Sequence, residues 1–262
     1  GRWITLNGNE IAALVCHAAL IDHPHPEPLV LKTLVTTGLV TRIAEAHGAA
    51  VAEDLLVGFK YIGEALYGLE RKGRFGPFEG DTSRFAVGVE ESHGVLVTPD
   101  IRDKDAAGGA LILTALASRE AAENRSLIDT LDDLMRAHGV FHNHLASTVL
   151  EGATGRARIA TIMAAFRATP PTHIGGHLVE RVEDRQDPNG ASGPAVSDTD
   201  HVSRNMLCFY LEGGARLILR PSGTEPKTKV YVETSASAEG DIHSQRSALK
   251  AEAEAISRDF IT

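Results

Sequence analysis

The sequence predicts a mixed α/β protein of two domains, a layered α/β domain first and a smaller α+β domain after it. Three observations carry this. Strand-like apolar runs alternate with helical ones in the first half. From His177 onward four short strand-like runs follow one another, with turn residues between them. The length of 262 residues exceeds one small domain and fits two, or one large one.

Taken in order, Glu10 to Leu20 has apolar residues at helical spacing and predicts a helix, which Pro24, Pro26 and Pro28 end. Leu29 to Val35 is apolar apart from Lys32 and Thr33 and predicts a buried strand. Thr36 or Thr37 is placed to cap a helix that runs to about His47 and stops at Gly48. A short strand is expected at Ala49 to Ala52, a helix from Phe59 to Leu69, a strand from Phe85 to Val89 and a helix from Lys104 to Ala117. Ser126 to His138 is amphipathic through Leu127, Leu131 and Leu134, and predicts a linking helix. Gly155 to Ala168 is another helix, stopped by Pro170 and Pro171. The four strands are expected at His177 to Glu183, Met206 to Glu212, Arg216 to Leu219 and Lys229 to Thr234, with a closing helix from Asp241 to Phe260. The Pro-, Gly-, Ser- and Asp-rich stretch Gln186 to Asp200 predicts an exposed loop. The domains are expected at 1–122 and 175–262, joined by a helical connection over 123–174.

Composition narrows the function. Hydrophobic residues make up 43% and charged residues 23%, ordinary for a globular protein. A net charge of -9 speaks against a general nucleic-acid binder, which is usually basic, but leaves room for a small phosphorylated ligand in a locally basic pocket. Cys16 and Cys208 form no Cys-x-x-Cys motif, which favours a reducing, cytoplasmic setting. The longest nearly charge-free apolar stretch, Ala106 to Ser118, is shorter than the roughly 20 residues a bilayer requires. No signal peptide or membrane partner is expected. The opening Gly1-Arg2-Trp3-Ile4-Thr5-Leu6 starts without Met in a strand-like apolar segment, as a fragment, a processed chain or a trimmed tag would.

The segment most informative about chemistry is Arg220-Pro221-Ser222-Gly223-Thr224-Glu225-Pro226-Lys227, between two predicted strands. Arg220 offers a planar fork suited to phosphate oxygens. Ser222 and Thr224 add hydroxyl donors, and Gly223 lets backbone N–H groups approach closely. On chemistry alone the segment fits a phosphate seat or a polar turn. Glu90-Glu91-Ser92-His93-Gly94 follows a strand, and its carboxylate and hydroxyl two residues apart suit adjacent sugar hydroxyls as well as a simple acidic turn. Arg102-Asp103-Lys104-Asp105 sits where a helix is expected to begin; a lysine there opposes the helix dipole. Lys60, in Gly58-Phe59-Lys60, reads by itself as a solvated surface lysine.

Together these segments resemble the C-terminal half of the α-D-phosphohexomutase superfamily, the phosphoglucomutases and phosphomannomutases. The eight residues from Arg220 resemble its phosphate-binding loop, Glu90-Glu91-Ser92 its sugar-recognition loop, and Arg102-Asp103-Lys104-Asp105 its Arg-(Asp/Glu)-Lys-Asp motif. Gly58-Phe59-Lys60 resembles its Gly-(Phe/Trp)-Lys segment, and Leu6 to Glu10 the stretch after its metal loop. The order matches from Leu6 almost to the C-terminus, with only Gln186 to Asp200 unmatched.

The resemblance implies a three-layer αβα domain with a mixed sheet, the family's third domain, and then a fourth domain with an antiparallel sheet flanked by helices. It implies that Arg220, Ser222, Gly223, Thr224 and Lys229 hold a phosphate, that Lys60, Glu90, Ser92 and Arg102 bind the sugar, and that Lys104 is an active-site cation or general acid/base. The ligand would be a phosphorylated hexose, with hexose 1,6-bisphosphate as activator or intermediate and magnesium in the complete enzyme. His93 departs from the pattern: phosphomannomutase-type relatives read Ser-Gly-His where this chain reads Ser-His-Gly.

The family's Ser-His-Asn-Pro phosphoserine motif is absent, and Asp198-Thr199-Asp200 lacks the third carboxylate of its Asp-x-Asp-x-Asp metal loop. His23/His25 and His142/His144 offer no matching second pair at metal-ligand spacing. The expectation is therefore a chain that supplies the sugar- and phosphate-binding half of a mutase and is inactive alone, its partner being the enzyme's N-terminal half. The alternatives are a self-standing phosphosugar-binding module or pseudoenzyme, and an amino-sugar mutase.

Overall fold

The structure is a computed structural model that describes residues 3–21, 23–150, 152–190, 192–222 and 225–261, with the side chains of residues 152 and 153 left aside. The expected phosphate ligands Gly223 and Thr224, with Gly1 and Arg2 at the start, lie outside the described residues. The chain forms two compact units, Gly1–Val140 with Ser237–Ile242, and Phe141–Ala236 with His243–Thr262.

The first unit begins irregularly. Residues 3–7 form no strand, and Trp3 is almost fully exposed. Asn7 instead caps helix α1 (Gly8–Ile21): its Oδ1 accepts from the N–H groups of Asn9 and Glu10, while Glu10 accepts from Asn7 N–H at 2.8 Å. Then follow β1 (Leu29–Thr33), α2 (Gly38–Ala46), β2 (Ala50–Leu55), α3 (Lys60–Lys72), the small hairpin β3 (Arg74–Phe75) and β4 (Phe78–Glu79), β5 (Phe85–Glu90), β6 (Gly94–Leu96), α4 (Ala106–Ala122) and α5 (Leu127–His138).

The sheet order is β2-β1-β5-β6; β1 runs parallel to β2 and β5, and β6 closes the edge antiparallel. All five residues of β1 and all six of β5 are buried, as expected of strands covered on both faces. Leu29, Leu31 and Phe85 pack under Ile62, Leu66 and Leu69 of α3. Val30, Val87 and Val89 are fully buried on the opposite face, where α1 lies against β5, and α1, α2, α4 and α5 pack on one another. The result is the αβα layering with a mixed sheet that the sequence led one to expect. Thr37 caps α2 through its Oγ1, and Gly73 ends α3 in the left-handed conformation that favours glycine.

The second unit comprises β7 (Val140–Val149), α6 (Gly152–Ala168), β8 (His173–Ile174), β9 (His177–Asp184), α7 (Asp198–Ser203), β10 (Leu207–Leu211), β11 (Arg216–Pro221), β12 (Lys227–Ala236) and α8 (Ile242–Ile261). Its six strands lie in the order β7-β12-β11-β10-β9-β8, with antiparallel pairing from β8 through β12. Leu217, Leu219, Val230 and Val232 share one face of the β11–β12 ladder and form a core with Met163 of α6 and Ala253 and Ile256 of α8. Phe166 stacks on Phe260 at 4.8 Å, and Phe209 meets Phe260 edge-on at 5.4 Å. Arg167 at the end of α6 grips Asp184 of β9 through two N–H bonds of 2.8 and 3.1 Å, fixing the helix to the sheet.

The irregular segment before α7 is tied down by Arg204, which donates to the carbonyls of Ser192 and Gly193 at 2.6 Å each and pairs with Asp200 at 2.8 Å. Both cysteines are buried thiols outside any disulfide, and burial pushes the Cys16 thiol up to about 12, so it is an inert packing group. No helix among the described residues is long and apolar enough to cross a membrane.

Candidate functional site

In the first unit the expected sugar-binding residues gather at the carboxyl ends of the parallel strands, the edge where open α/β sheets place ligands. β5 delivers Glu90 as its last residue, and the chain then turns through Glu91, Ser92 and His93 so that Gly94 pairs back on Glu90. His93 takes the left-handed conformation, φ 65°, that closes such a short turn. Ser92 and His93 are exposed at the tip, while Glu90 is buried.

The N–H of Gly58, in the loop after β2, donates to the Glu90 carboxylate. Burial and the neighbouring Glu91 nonetheless hold Glu90 above the usual carboxylate range, against the pull of Lys104. Gly8 at the start of α1 abuts the same turn: a Cβ there would meet the Glu91 carbonyl oxygen at 1.9 Å.

Lys104 stands outside the helix in which it was expected. α4 begins at Ala106 with Asp105 as its cap, the carboxylate accepting from Ala107 N–H at 3.0 Å. Lys104 therefore does not oppose the dipole from within the first turn. Its backbone is fixed from both sides, by Lys104 N–H to Asp103 Oδ1 at 2.7 Å and Asp105 N–H to the Val95 carbonyl at 2.7 Å. Its ammonium lies 3.1 Å from Asp103 Oδ1 and 5.0 Å from the Phe59 ring centre. Those bonds from Lys104 hold the Asp103 carboxyl below its usual range. Lys60 opens α3, one residue after Phe59, with its ammonium 4.8 Å from the Tyr61 ring. Glu90, Lys104, Phe59 and the Gly58 N–H thus form one cluster, with Lys60 next to Phe59 in the chain and Ser92 two residues after Glu90.

Arg102 is engaged elsewhere. Its guanidinium donates to Glu70 of α3 at 2.9 Å and to the Pro99 carbonyl, so in this arrangement it anchors the loop to α3.

In the second unit β11 and β12 carry the expected phosphate ligands. Arg220 stands opposite Lys229, and Pro221 opposite Thr228. Arg216 stands opposite Glu233 on the same face, where they form an ion pair of 3.2 Å. At the loop end the facing pair is instead two cations, with the exposed Glu225 carboxylate held below its usual range by Lys227 first and by Lys229 after it. Among the described residues no carboxylate pairs with Arg220, and Lys229 rests 5.8 Å from the Tyr231 ring. Glu225 is taken by Lys227. Ser222 N–H donates to the Lys227 carbonyl at 2.8 Å, and Ser222 Oγ accepts from Glu225 N–H at 3.3 Å, so the turn is held by its own backbone.

The fit of a magnesium ion can be judged at Asp198-Thr199-Asp200. Asp200 is buried, and its Oδ2 is taken by Arg204 Nε at 2.8 Å and Val196 N–H at 3.0 Å, while its own N–H donates to Ser197 Oγ. Among the described residues no three His, Cys, Asp or Glu side chains are grouped as metal ligands. At Asp198-Thr199-Asp200 the described residues do not fit the ion. Sequence reasoning also passed over Phe59 as a platform for Lys104, and over Arg156 and Asn205, which line a hollow beside Ser222. Phe59 lay inside a quoted motif, whereas Arg156 and Asn205 carry no local signal.

The family model described as phosphoglucomutase/phosphomannomutase, alpha/beta/alpha domain III, matches residues 7–138, and that of the C-terminal domain matches residues 178–245. A phosphoglucomutase of Staphylococcus epidermidis is 34% identical over 232 residues, covering 87% of this chain and 40% of its own length. A phosphoglucomutase of Staphylococcus aureus is 30% identical over 235 residues, with 88% and 40% covered. The chain thus spans about 40% of the length of these relatives. In fold it is similar to pp63/parafusin, a phosphoglucomutase from Paramecium, with a TM-score of 0.57 at 14% identity over 99% of this chain and 44% of the other. The chain belongs to the phosphoglucomutase/phosphomannomutase family, of which it carries domain III and the C-terminal domain.

Proposed function

We propose that this chain binds a phosphorylated hexose for a mutase that interconverts hexose 1-phosphate and hexose 6-phosphate. The observation that carries this reading is the facing of Arg220 and Lys229, two cations directly opposite on the β11–β12 ladder beside the Ser222 loop. Two like charges directly opposite on a ladder are unfavourable by roughly 0.2–1 kcal/mol. A bound dianion turns that repulsion into attraction, whereas a merely structural turn has no use for it.

On this reading Arg220, Ser222 and Lys229, with Gly223 and Thr224, hold the phosphate that does not react. Glu90 accepts from sugar hydroxyls, Ser92 donates, and Lys60 adds a cation at the rim. Lys104 places positive charge beside the transferring group and is the candidate proton carrier. Arg102 serves by holding the Lys104 loop on α3. Fixing the far phosphate supplies binding energy for orientation at the reacting end. The phosphoserine, the magnesium and the entry of hexose 1,6-bisphosphate are assigned to an N-terminal half of the same enzyme, a division that the partial coverage of the relatives supports.

The test is titration of the chain with glucose 6-phosphate, followed by calorimetry, for the wild type and Arg220→Ala. Arg220→Ala is expected to weaken binding about tenfold or more with an unchanged circular dichroism spectrum. Equal affinity in the folded variant overturns the assignment. Mutase turnover by the purified chain alone, with glucose 1-phosphate, bisphosphate and magnesium, would overturn the division of labour.

A further inference from the structure

We infer that Phe59 is the positioning residue of Lys104: the face of its ring holds the ammonium apart from the Glu90 carboxylate, so that each group meets the ligand rather than the other. This rests on the reading of the Glu90 and Lys104 cluster as a sugar-phosphate site.

The ring is fixed before the lysine reaches it. Phe59 ends the loop after β2, and its carbonyl accepts from Gly63 N–H at 3.0 Å in the first turn of α3. Its side chain is 4% exposed and belongs to the core formed with Leu29, Leu31, Ile62 and Leu96. A ring packed into such a core keeps one orientation. Lys104 comes to it over Gly94, where a methyl group would lie 3.1 Å from Lys104 Cδ and 2.8 Å from Glu90 Oε2. The lysine stem and the glutamate are therefore neighbours. The ammonium ends 5.0 Å from the Phe59 ring centre, within reach of a cation–π attraction.

Two carboxylates compete for that ammonium. Asp103 takes it at 3.1 Å, but the Asp103 side chain is 76% exposed, and a pair so open to water holds a long side chain only weakly. Glu90 is buried, and burial with the neighbouring Glu91 raises its pKa, so an ion pair with Lys104 would relieve it. Among the described residues that pair does not form. Lys104 is paired with Asp103, and the Glu90 carboxylate accepts from Gly58 N–H. Gly58 and Phe59, consecutive in one loop, thus divide the cluster: the N–H takes the carboxylate and the ring takes the ammonium. A carboxylate kept off its cation retains acceptor capacity for a sugar hydroxyl. An ammonium tied only to an exposed carboxylate and a ring face can pass to a phosphoryl oxygen.

The test compares Phe59→Leu, which keeps an apolar side chain but no ring face, with Phe59→Tyr, which keeps the ring. Glucose 6-phosphate affinity, read by calorimetry, should fall about fivefold in Phe59→Leu and stay within about twofold in Phe59→Tyr. Lys104→Met should weaken binding about tenfold, and Phe59→Leu added to it should cost nothing further, because the ring acts through the ammonium. By NMR the Lys104 Cε methylene should carry a ring-current shift in the wild type and in Phe59→Tyr that Phe59→Leu loses. The Glu90 carboxyl should titrate lower in Phe59→Leu, where the ammonium can close on it. Circular dichroism and thermal melts check that each variant is folded at the temperature of titration. An equal loss from Phe59→Leu with and without Lys104 would make the ring a packing group only and overturn the inference. A wild-type methylene without the ring-current shift overturns it too, whichever variants fold. If Lys104→Met weakens binding and Phe59→Leu does not, the inference fails alone. If Lys104→Met binds glucose 6-phosphate like the wild type, the reading of the cluster as a ligand site fails, and the inference with it.

Discussion

Glu90 and Lys104 approach each other across Gly94: a methyl group there would lie 2.8 Å from Glu90 Oε2 and 3.1 Å from Lys104 Cδ. Glycine is therefore required by its neighbours, since its backbone is not among the positive-φ glycines. Gly94→Ala is expected to push the Lys104 stem away from the carboxylate and to cost about 1–3 kcal/mol of stability through overpacking. Sugar-phosphate affinity should fall more than the melting temperature suggests, because the two groups proposed to face the ligand move together. Parallel thermal melts and glucose 6-phosphate titrations check this; an unaltered affinity would separate Lys104 from the sugar site.

The facing of Arg220 and Lys229 gives a prediction with opposite signs in two conditions. Lys229→Gln removes the like-charge repulsion, so without ligand the chain should gain a few tenths of a kcal/mol in stability. With millimolar phosphate present, the wild type should be raised in melting temperature and the variant much less. Melts with and without phosphate, at one ionic strength held constant with chloride, distinguish a phosphate seat from general screening.

How far the sequence could be read follows from where each signal is stored. β1 and β5 were legible because strands buried on both faces become continuous apolar runs. The loops at Glu90 and Arg220 stand out in the sequence because the residues of each motif are adjacent in the chain. β7 was missed: it carries His142, Asn143 and His144, which an edge strand tolerates but which break the apolar pattern. The start of α4 was placed two residues early because four charged residues in a row hid which one caps, and the cap is Asp105. Arg156 and Asn205 could not be found from the sequence, being brought to Ser222 only when α6 folds onto the sheet.

Gly8 sets two effects against each other. Alanine is favoured over glycine within a helix by up to about 1 kcal/mol. A Cβ at Gly8, however, would lie 1.9 Å from the Glu91 carbonyl oxygen and 2.8 Å from the His93 nitrogen, both backbone atoms that cannot rotate aside. The clash wins, and Gly8→Ala is expected to lose about 1–3 kcal/mol net. It should also loosen the Glu91–His93 turn. Urea denaturation checks the loss, and a variant as stable as the wild type would show that α1 does not seat that turn.

His142 makes stability pH-dependent in the second unit. Burial, His144, and Lys250 and Arg246 of α8 push its pKa from the ordinary 6.5 down to about 4, opposed by Glu254. The native state therefore favours the neutral ring. The stabilising contribution is complete above the unfolded value near 6.5 and is lost as pH falls from there towards 4, below which both states are protonated. The half-buried ring is partly screened by solvent, so the loss across that window should be roughly 1–2 kcal/mol rather than the full shift. His17 and His138 of the first unit, also lowered by burial, add a slope of the same sign. His142→Gln should flatten the fall in the second unit between pH 6.5 and 4 and leave that of the first unit in place. Urea melts across this range, followed by amide exchange in each unit, test it. An unchanged slope in the second unit would mean that His142 is solvated in the folded chain and that other groups set its acid limit.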